Sequence, residues 1–347
     1  MGSLADFCDV VIGVDTHADT LTAAAVAAST GGVLGYRTVD ACPGGYRELA
    51  RFADEYSGVR AWAVEGTGSY GAGLTRHLVG AAERVVEVDR PERSRRRNNA
   101  KSDEIDAVRC AREALVRQYP APPRSGGVRK ALAVLLVVRR SAVRAAGDAQ
   151  RQLRAVMIAA PDQVRDRFRG KTTLQMTAIA SRMHTHPSWD AETRVTVTCL
   201  RSLAKRIQAH TRDARQHEHE IHQLIRDTHP GLLELTGVGP ITAAAVVCGW
   251  SHPGRLRSEA AFGMLAGTAP IPAESGKTTG RRRLNRSGDR QLNAAIHTIV
   301  LTRLRHDPET RAYMQRRTSE GKTRRDTIRC LKRYVTRQLY RHLENTP

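Results

Sequence analysis

Four carboxylates in the sequence have the types and spacing of a metal site. Asp15 and Glu65 each end a short apolar run, and Asp103 and Asp106 are three residues apart, a spacing that places both on one face of a helix. Clustered carboxylates repel one another unless a cation lies between them, and Mg²⁺ or Mn²⁺ takes such oxygen ligands. Two such ions stabilise the attacking and leaving oxygens when a phosphodiester is cut. The four residues therefore predict a metal site that acts on a phosphodiester.

A serine in the segment from residue 270 to 289 offers a second kind of chemistry. The hydroxyl of Ser275 is a weak nucleophile that needs a general base, a metal or a dense positive field. Such a field is available from four neighbouring cations: Lys277, Arg281, Arg282 and Arg283. The run Gly276-Lys277-Thr278 has the ending of a phosphate-binding loop, but Ile271 stands where that loop requires glycine, which excludes it. The residues alone leave Ser275 as either a nucleophile or an ordinary turn residue.

Two further segments predict contacts with a phosphate backbone. A basic run before Asp103 contains Arg95, Arg96, Arg97 and Lys101. This run either holds a phosphate beside the carboxylates or is a solvated loop. Farther on, Gly237 and Gly239 stand on either side of a single residue, and a stretch rich in small side chains follows them. Such a turn resembles the helix-hairpin-helix, in which backbone N–H groups and a helix N-terminus accept a DNA phosphate; a tight turn between packed helices is the alternative.

The composition favours a polyanionic partner. The 347 residues carry 56 Lys and Arg against 35 Asp and Glu, a formal net charge of +21, and nucleic acid is the commonest polyanion that such a field attracts. The charge is uneven, at −5 over residues 1–90, +14 over 91–230 and +12 over 231–347. This distribution is expected if the acidic first part binds metal and the two basic parts bind a phosphate backbone.

Several other classes of protein are disfavoured. No apolar stretch approaches the roughly 20 residues that cross a bilayer, and the N-terminus lacks the basic and apolar regions of a signal peptide. The six cysteines are scattered without a C-x-x-C pair, which argues against a zinc ribbon or a disulfide framework. We therefore expect a cytoplasmic protein with reduced thiols and no membrane partner.

Short elements that alternate in type must position the four carboxylates. The predicted strands are Val10–Asp15, Leu21–Ala27, Gly32–Val39, Val59–Glu65 and Arg84–Asp89. Helices are predicted over residues 46–56, near Tyr70–Gly80 and from about Ser102, a plausible N-cap. The predicted order is three strands, a helix, a strand, a helix, a strand and a helix. This is the order of the ribonuclease H-like fold. In this order the carboxylates fall at strand ends and at the start of the last helix, which would bring them to one edge of the sheet.

Beyond residue 120 the sequence predicts a mostly helical chain joined to this α/β part. A linker rich in proline and glycine covers residues 120–127, and a long helix is predicted from Val128 to about Met157. From Leu200 to Leu224 apolar residues follow an a/d spacing, which predicts a coiled-coil arm that forms an antiparallel hairpin or a dimer contact. We expect three domains, over residues 1–120, 121–230 and 231–347.

The ordered set of motifs is more specific than any one of its members. It comprises Gly13-Val14-Asp15-Thr16-His17, Glu65-Gly66-Thr67-Gly68-Ser69-Tyr70, Lys101-Ser102-Asp103 with Asp106-Ala107, Gly237-Val238-Gly239-Pro240, and Ser275-Gly276 followed by Gly288-Asp289. Over nearly the whole chain this set resembles the DEDD-type insertion-sequence transposases of the IS-one-ten kind.

The resemblance implies a RuvC-like N-terminal domain, a coiled coil and a C-terminal transposase domain. It implies that the four carboxylates bind Mg²⁺ and that Ser275 attacks the scissile phosphate to form a transient phosphoserine link. It also implies an element-encoded non-coding RNA that pairs with donor and target DNA. Family members form dimers and tetramers in which the carboxylates of one subunit meet the serine of another.

Departures from the family pattern leave alternatives open. Glu274 precedes Ser275 where a second serine is common, and Ser287 stands where a basic residue is usual, which makes Ser287 a rival nucleophile. A junction-resolving or other ribonuclease H-like nuclease would keep only the metal site and use water. An inactive nucleic-acid-binding remnant would keep only the basic surfaces.

Overall fold

The computed structural model of the protein describes residues 3–88, 102–273, 276, 282–285 and 287–345, with the backbone alone at Arg282 and Leu284. The chain divides into two compact units. The first comprises Met1–Lys130, Trp250–Phe262 and Leu343–Pro347, and the second comprises Ala131–Gly249 and Gly263–His342. The C-terminal part of the sequence thus contributes to both units, and the division into three domains at residues 120 and 230 stays a prediction.

A five-stranded mixed sheet forms the centre of the first unit. Its strands are β1 Val10–Thr16, β2 Thr20–Ala27, β3 Val33–Asp40, β4 Arg60–Glu65 and β5 Val85–Val88, in the spatial order β3-β2-β1-β4-β5. β2 pairs antiparallel with β1 and β3, whereas β1, β4 and β5 are parallel. All five predicted strands are confirmed to within one residue at each end.

Helices cover both faces of this sheet. They are α1 Pro43–Asp54, α2 Ala72–Gly80 and α3 Asp103–Val116. Leu49 of α1 and Leu74 of α2 share a core with the fully buried Trp62, whereas Ala111 of α3 packs in a separate core with Val11. Because side chains alternate along a strand, β1, β2, β4 and β5 each contribute apolar residues to both cores, which explains why the central strands are apolar throughout.

The rest of the described chain is mostly helical. Its helices are α4 Gly127–Ile158, α5 Asp162–Arg165, α6 Thr173–Ser181, α7 Ala191–Thr228, α8 Pro230–Glu234, α9 Pro240–Trp250, α10 Glu259–Leu265, α11 Arg290–His306, α12 Pro308–Ser319 and α13 Arg324–Asn345. A short antiparallel pair, β6 Pro270–Pro272 and β7 Arg282–Leu284, lies between α10 and α11. Within the described ranges, no helix combines the length and the apolar composition needed to cross a membrane.

The two long helices of the second unit run antiparallel. Arg139 of α4 forms a 2.9 Å ion pair with Glu218 of α7, whereas Leu153, later in α4, shares a core with Leu200, earlier in α7. The predicted a/d face of α7 is buried at Leu200 and Ile221. The helix expected over Val128–Met157 is confirmed to within one residue, and the coiled coil stays a prediction.

Candidate functional site

Asp15 and Glu65 follow equivalent positions on adjacent parallel strands. The residues from Val10 to Val14 of β1 pair in register with those from Arg60 to Val64 of β4, and the two carboxylates come next. Alternation of side chains along a strand places both on the face that α3 covers. Thr16 ties the strand ends together, because its hydroxyl donates a 3.1 Å hydrogen bond to the carbonyl oxygen of Glu65.

Gly13 brings α3 close to β1. A Cβ at this position would overlap the carbonyl oxygen of Ala107 and would lie 2.5 Å from the backbone nitrogen of Ala111. Both atoms belong to the helix backbone, so only glycine permits this approach. Asp103 and Asp106 lie in the first turn of the same helix, and the contact at Gly13 therefore fixes them beside the end of β1.

His17 lies between two of the predicted metal ligands. Its Nε2 is 3.2 Å from Oδ2 of Asp15 and 3.5 Å from Oδ1 of Asp103, and one ligand atom from each residue lies within 4.8 Å of the other two. Neighbouring ligand atoms of a six-coordinate Mg²⁺ are separated by about 3 Å, since each is about 2.1 Å from the ion. The two distances from His17 are close to this spacing, so the three side chains are near enough to one another to be candidates for holding one divalent cation.

No individual role was predicted for His17. The first strand was predicted to end at Asp15, whereas β1 continues to Thr16, the residue before His17. The available signal was the spacing of two residues between Asp15 and His17, because such residues lie on the same face of an extended chain.

Asp106 and Glu65 belong to the same acidic edge without joining that group of three. Oδ1 of Asp106 accepts a 3.0 Å hydrogen bond from Nη1 of Arg109. Burial is the main reason why the pKa of the Cys110 thiol is raised to about 12, and the negative charges of Glu65 and Asp15 raise it further. The charges of Glu65 and Asp15 therefore both reach the Cys110 thiol of α3, and this thiol stays protonated at neutral pH.

Like charges are crowded around Asp15. Burial raises the pKa of this carboxyl, the charges of Asp103 and Asp106 raise it further, and His17 lowers it. The Asp15 side chain thus loses hydration and faces two negative neighbours, which makes its charged form unfavourable. A cation bound between these carboxylates would reverse that effect, so the electrostatics agree with the ligand spacing.

The turn after Glu65 is held by Arg124 of the linker and by Lys130 in the first turn of α4. Nζ of Lys130 donates a 2.8 Å hydrogen bond to the carbonyl oxygen of Gly68, and the backbone N–H of Arg124 donates a 3.3 Å bond to the hydroxyl of the buried Thr67. These bonds fix the backbone within three residues of Glu65. The linker therefore helps to position this carboxylate.

A buried ion pair anchors the same linker to the sheet. Glu87 of β5 accepts a 3.2 Å hydrogen bond from Nε of Arg124 and a 2.9 Å bond from Nη2 of Arg255. Glu87 and Arg255 are 5% and 8% exposed, and removing one partner of such a pair costs about 3–5 kcal/mol. The backbone N–H of Ser125 also donates a 2.9 Å bond to the hydroxyl of Ser251. Residues 250–262 are thereby fixed within the first unit.

Most of the predicted serine segment lies outside the described residues. This applies to Ser275, Lys277 and Arg281 and to the side chain of Arg282. It applies equally to the basic residues Arg95, Arg96, Arg97 and Lys101. The described neighbours Arg283 and Ser287 are exposed, and the backbone N–H of Ser287 donates a 2.9 Å bond to Oδ1 of Asn285. The roles of these residues stay predictions.

The glycine turn lies between α8 and α9. Gly237 has φ of +80°, a left-handed conformation that favours glycine, and Nε of Arg303 donates a 2.7 Å bond to the carbonyl oxygen of Thr236. The N–H of Gly239 donates a 3.0 Å bond to the hydroxyl of Thr242. A phosphate at this amide would have to displace that hydroxyl, and the phosphate-binding role of both glycines stays a prediction.

Two family profiles match the chain. The profile of the DEDD transposases of the IS110 kind matches residues 12–160, which include the four carboxylates and His17. The profile described as "Transposase IS116/IS110/IS902 family" matches residues 230–315, which include the glycine turn and the serine segment.

Proteins of two insertion elements are similar to parts of the chain. The "Insertion element IS900 uncharacterized 42 kDa protein" of Mycobacterium paratuberculosis is 36% identical over 69 residues, 20% of this chain and 17% of that protein. The "Insertion element IS110 uncharacterized 43.6 kDa protein" of Streptomyces coelicolor is 30% identical over 125 residues, 35% of this chain and 31% of that protein. The chain thus spans less than a third of either relative. Together with the two profiles, these similarities show that the chain belongs to the IS110 family of DEDD transposases.

Proposed function

We propose that the protein is a DNA transposase that cleaves and rejoins strands through a metal-binding acidic site and a nucleophilic serine. The observation that carries the proposal is the grouping of Asp15, His17 and Asp103, whose ligand atoms all lie within 4.8 Å of one another. The match to two transposase profiles supplies the substrate class, which is DNA.

We assign the first unit to the ribonuclease H-like, RuvC-like fold. The strand order β3-β2-β1-β4-β5, with the first three strands antiparallel and the others parallel, supports this assignment. So does the position of the carboxylates, which lie at the C-terminal ends of β1 and β4 and in the first turn of α3.

Five side chains are available to hold Mg²⁺ or Mn²⁺: Asp15, His17, Glu65, Asp103 and Asp106. The bound metal would supply positive charge to the oxygens of the phosphate under attack. The task of the chain is to hold the ligands in place. The register of β1 and β4 fixes Asp15 and Glu65, and the contact at Gly13 fixes α3 beside them.

Ser275 is the proposed nucleophile. Its Oγ forms a bond to phosphorus as the bond from phosphorus to one deoxyribose oxygen breaks, the hydroxyl proton passes to a base or to water, and the leaving oxygen takes up a proton. Attack by the hydroxyl of another strand on the phosphoserine reverses these bond changes and rejoins the DNA. The cations at Lys277 and Arg281 to Arg283 would favour this attack by stabilising the serine oxygen as it gains negative charge.

The proposed partners follow from charge and from the family. The net charge of +21 favours a nucleic-acid partner, and the phosphate contacts are assigned to the basic run Arg95–Arg97 with Lys101 and to the turn at Gly237 and Gly239. An element-encoded RNA would choose the donor and target DNA. A homodimer or tetramer would bring the serine of one subunit to the carboxylates of another.

Trapping of a DNA adduct tests the serine mechanism. A reaction with end-labelled DNA is quenched in denaturant and separated by denaturing electrophoresis, with Ser287→Ala as the matched control for Ser275→Ala. We expect a labelled protein band with the unmodified protein and with Ser287→Ala, and none with Ser275→Ala. An adduct or strand transfer with Ser275→Ala would refute the assignment. Mg²⁺-dependent cutting by the unmodified protein without any adduct would favour the water-using nuclease instead.

A further inference from the structure

A cavity of about 510 Å³ in the second unit is lined by basic side chains. It lies between α11 and α13, and residues that follow β7 form its third wall. Its basic lining residues are Arg290, His297, Arg325, Arg329 and Lys332. No carboxylate occurs among the described lining residues, and the volume falls within the range of about 300–1,000 Å³ for small-ligand sites. We call this the cationic cavity.

Helical periodicity explains why these residues face one another. On α13 the lining residues Arg325, Ile328, Arg329 and Lys332 are spaced i, i+3, i+4 and i+7. On α11 the lining residues Arg290, Asn293, Ala294 and His297 have the same spacing. Residues with this spacing form one stripe along a helix. Two such stripes, each with a basic residue at both ends, form the opposing walls.

Hydrogen bonds hold the deeper part of the cationic cavity in place. Nδ2 of Asn293 donates a 2.6 Å bond to the carbonyl oxygen of Ala266, and Nζ of Lys332 donates to Oδ1 of the same asparagine. A Cβ at Gly288 would lie 2.5 Å from Cα of Gly267, so the third wall packs backbone against backbone. The site is therefore built into the fold.

The cationic side chains in this cavity are only partly neutralised. Arg329 donates a 2.6 Å bond to Asp326, whereas Lys332 has an amide oxygen as its hydrogen-bond acceptor. Burial lowers the pKa of Lys332, and burial together with the charge of Lys332 lowers the pKa of His297. An anion in the cavity would offset this unfavourable concentration of positive charge.

We propose that the cationic cavity binds a phosphodiester of the DNA strand that Ser275 attacks. The guanidinium groups at the rim can each offer two parallel donors to a phosphate, and the half-buried ammonium group supplies a compact charge deeper in the site. Asn285 and Gly288 line the cavity, and both lie just after β7 within the segment that contains Ser275. The identity of the strand rests on the proposed function, whereas the anion site rests on the cavity alone.

Fluorescence anisotropy with a labelled single-stranded DNA of about 20 nucleotides tests this site. The binding is measured in EDTA, so that neither cleavage nor a bound metal contributes. The variants are Arg325→Gln at the rim and Lys332→Met in the interior. Arg324→Gln is the matched control, because Arg324 is the adjacent exposed residue of the same type and does not line the cavity.

We expect each cavity variant to weaken DNA binding about tenfold and to lower the slope of log affinity against log salt by about one. The Arg324→Gln protein should bind within about twofold of the unmodified protein, since it loses the same charge without a phosphate contact. Equal binding by the Arg325→Gln and Arg324→Gln proteins would overturn the proposal. Because Arg325 is exposed, its replacement leaves the fold intact even if Lys332→Met does not fold.

Two comparisons separate this proposal from the others. A labelled RNA of the same sequence is the first comparison, and a loss of affinity confined to RNA would refute the DNA assignment. The adduct assay with the Ser275→Ala protein tests the serine mechanism without reference to the cavity. Failure of the serine mechanism would therefore appear in the adduct assay, whereas failure of the cavity would appear only here.

Discussion

The acidic edge of the first unit and the cationic cavity of the second unit crowd charges of opposite sign. At the acidic edge, burial and two neighbouring carboxylates raise the pKa of Asp15. In the cavity, burial lowers the pKa of Lys332. In both places the protein holds a charge that its surroundings disfavour. Each region is therefore suited to a ligand of opposite charge, a divalent cation in the first and a phosphate in the second.

The two regions differ in how their charges are positioned. Asp15 and Glu65 lie at the ends of two paired strands, and α3 meets β1 through backbone contacts at Gly13. The cavity residues project from two helix faces, with side-chain hydrogen bonds such as that between Lys332 and Asn293 to orient them. Metal ligation requires ligand atoms placed to within a few tenths of an ångström, whereas a phosphate tolerates flexible basic side chains. The comparison suggests that small backbone shifts harm the acidic edge more.

The largest expected effect comes from Gly13→Ala. The added Cβ would press on backbone atoms of α3 at Ala107 and Ala111, so we expect a loss of about 3 kcal/mol in the free energy of unfolding. The helix shift should also weaken Mn²⁺ binding and leave DNA binding in EDTA unchanged. Urea denaturation and calorimetric titration measure the two quantities.

Gly80→Ala is the matched control for this prediction. No atom lies within 4 Å of a Cβ built at Gly80, near the end of α2, so its replacement should change the stability by less than about 1 kcal/mol. Equal stability of the Gly13→Ala and Gly80→Ala proteins would contradict the role assigned to the β1–α3 contact.

In the absence of metal, we expect Asp15→Asn to increase the stability of the fold, by less than Gly13→Ala decreases it. The pKa of Asp15 is raised on folding, so its contribution to stability is present below the ordinary aspartate pKa and is lost as the pH rises through the raised value. At pH 7 the ionised side chain destabilises the metal-free fold. We expect the melting temperature of the variant in EDTA to be roughly 2–4 °C higher, with the advantage shrinking as the pH falls toward about 4.

Added Mg²⁺ should make the melting temperature of the unmodified protein higher than that of Asp15→Asn. It should raise the melting temperature of the unmodified protein and have little effect on Asp15→Asn, because the variant lacks a ligand. Asp19→Asn, which removes an exposed carboxylate beyond the end of β1, serves as the control. A lower melting temperature for Asp15→Asn in EDTA at pH 7 would show that the carboxylates do not repel one another as described.

Local periodicity made the acidic edge predictable. The apolar runs that end at Asp15 and Glu65 are strands in the structure, and the helix expected near Ser102 begins at Asp103. The position of His17 beside Asp15 and Asp103 was not predicted. The predicted strand ended at Asp15, which left the two residues after it unassigned. The close approach of α3 was equally hidden, since Gly13 reveals its role only when the helix backbone lies against it.

Contacts between distant segments could not be predicted from the sequence. Glu87 and Arg255 are separated by 168 residues, and nothing in the sequence near either residue indicates that the two buried charges form a pair. The stripes of basic residues on α11 and α13 are visible in the sequence, but no local pattern shows that these two helices face each other. The role of Ser275 stays a prediction, because this residue lies outside the described ranges.

Metal-dependent strand cleavage by two neighbouring variants tests the central claim most directly. Asp103→Asn and Glu104→Gln each remove one charge from the first turn of α3, but only Asp103 belongs to the group with Asp15 and His17. In a titration with Mg²⁺, we expect Glu104→Gln to cleave DNA like the unmodified protein and Asp103→Asn to lose at least about a hundredfold in rate. Equal cleavage by the two variants would contradict a metal site at this edge of the sheet.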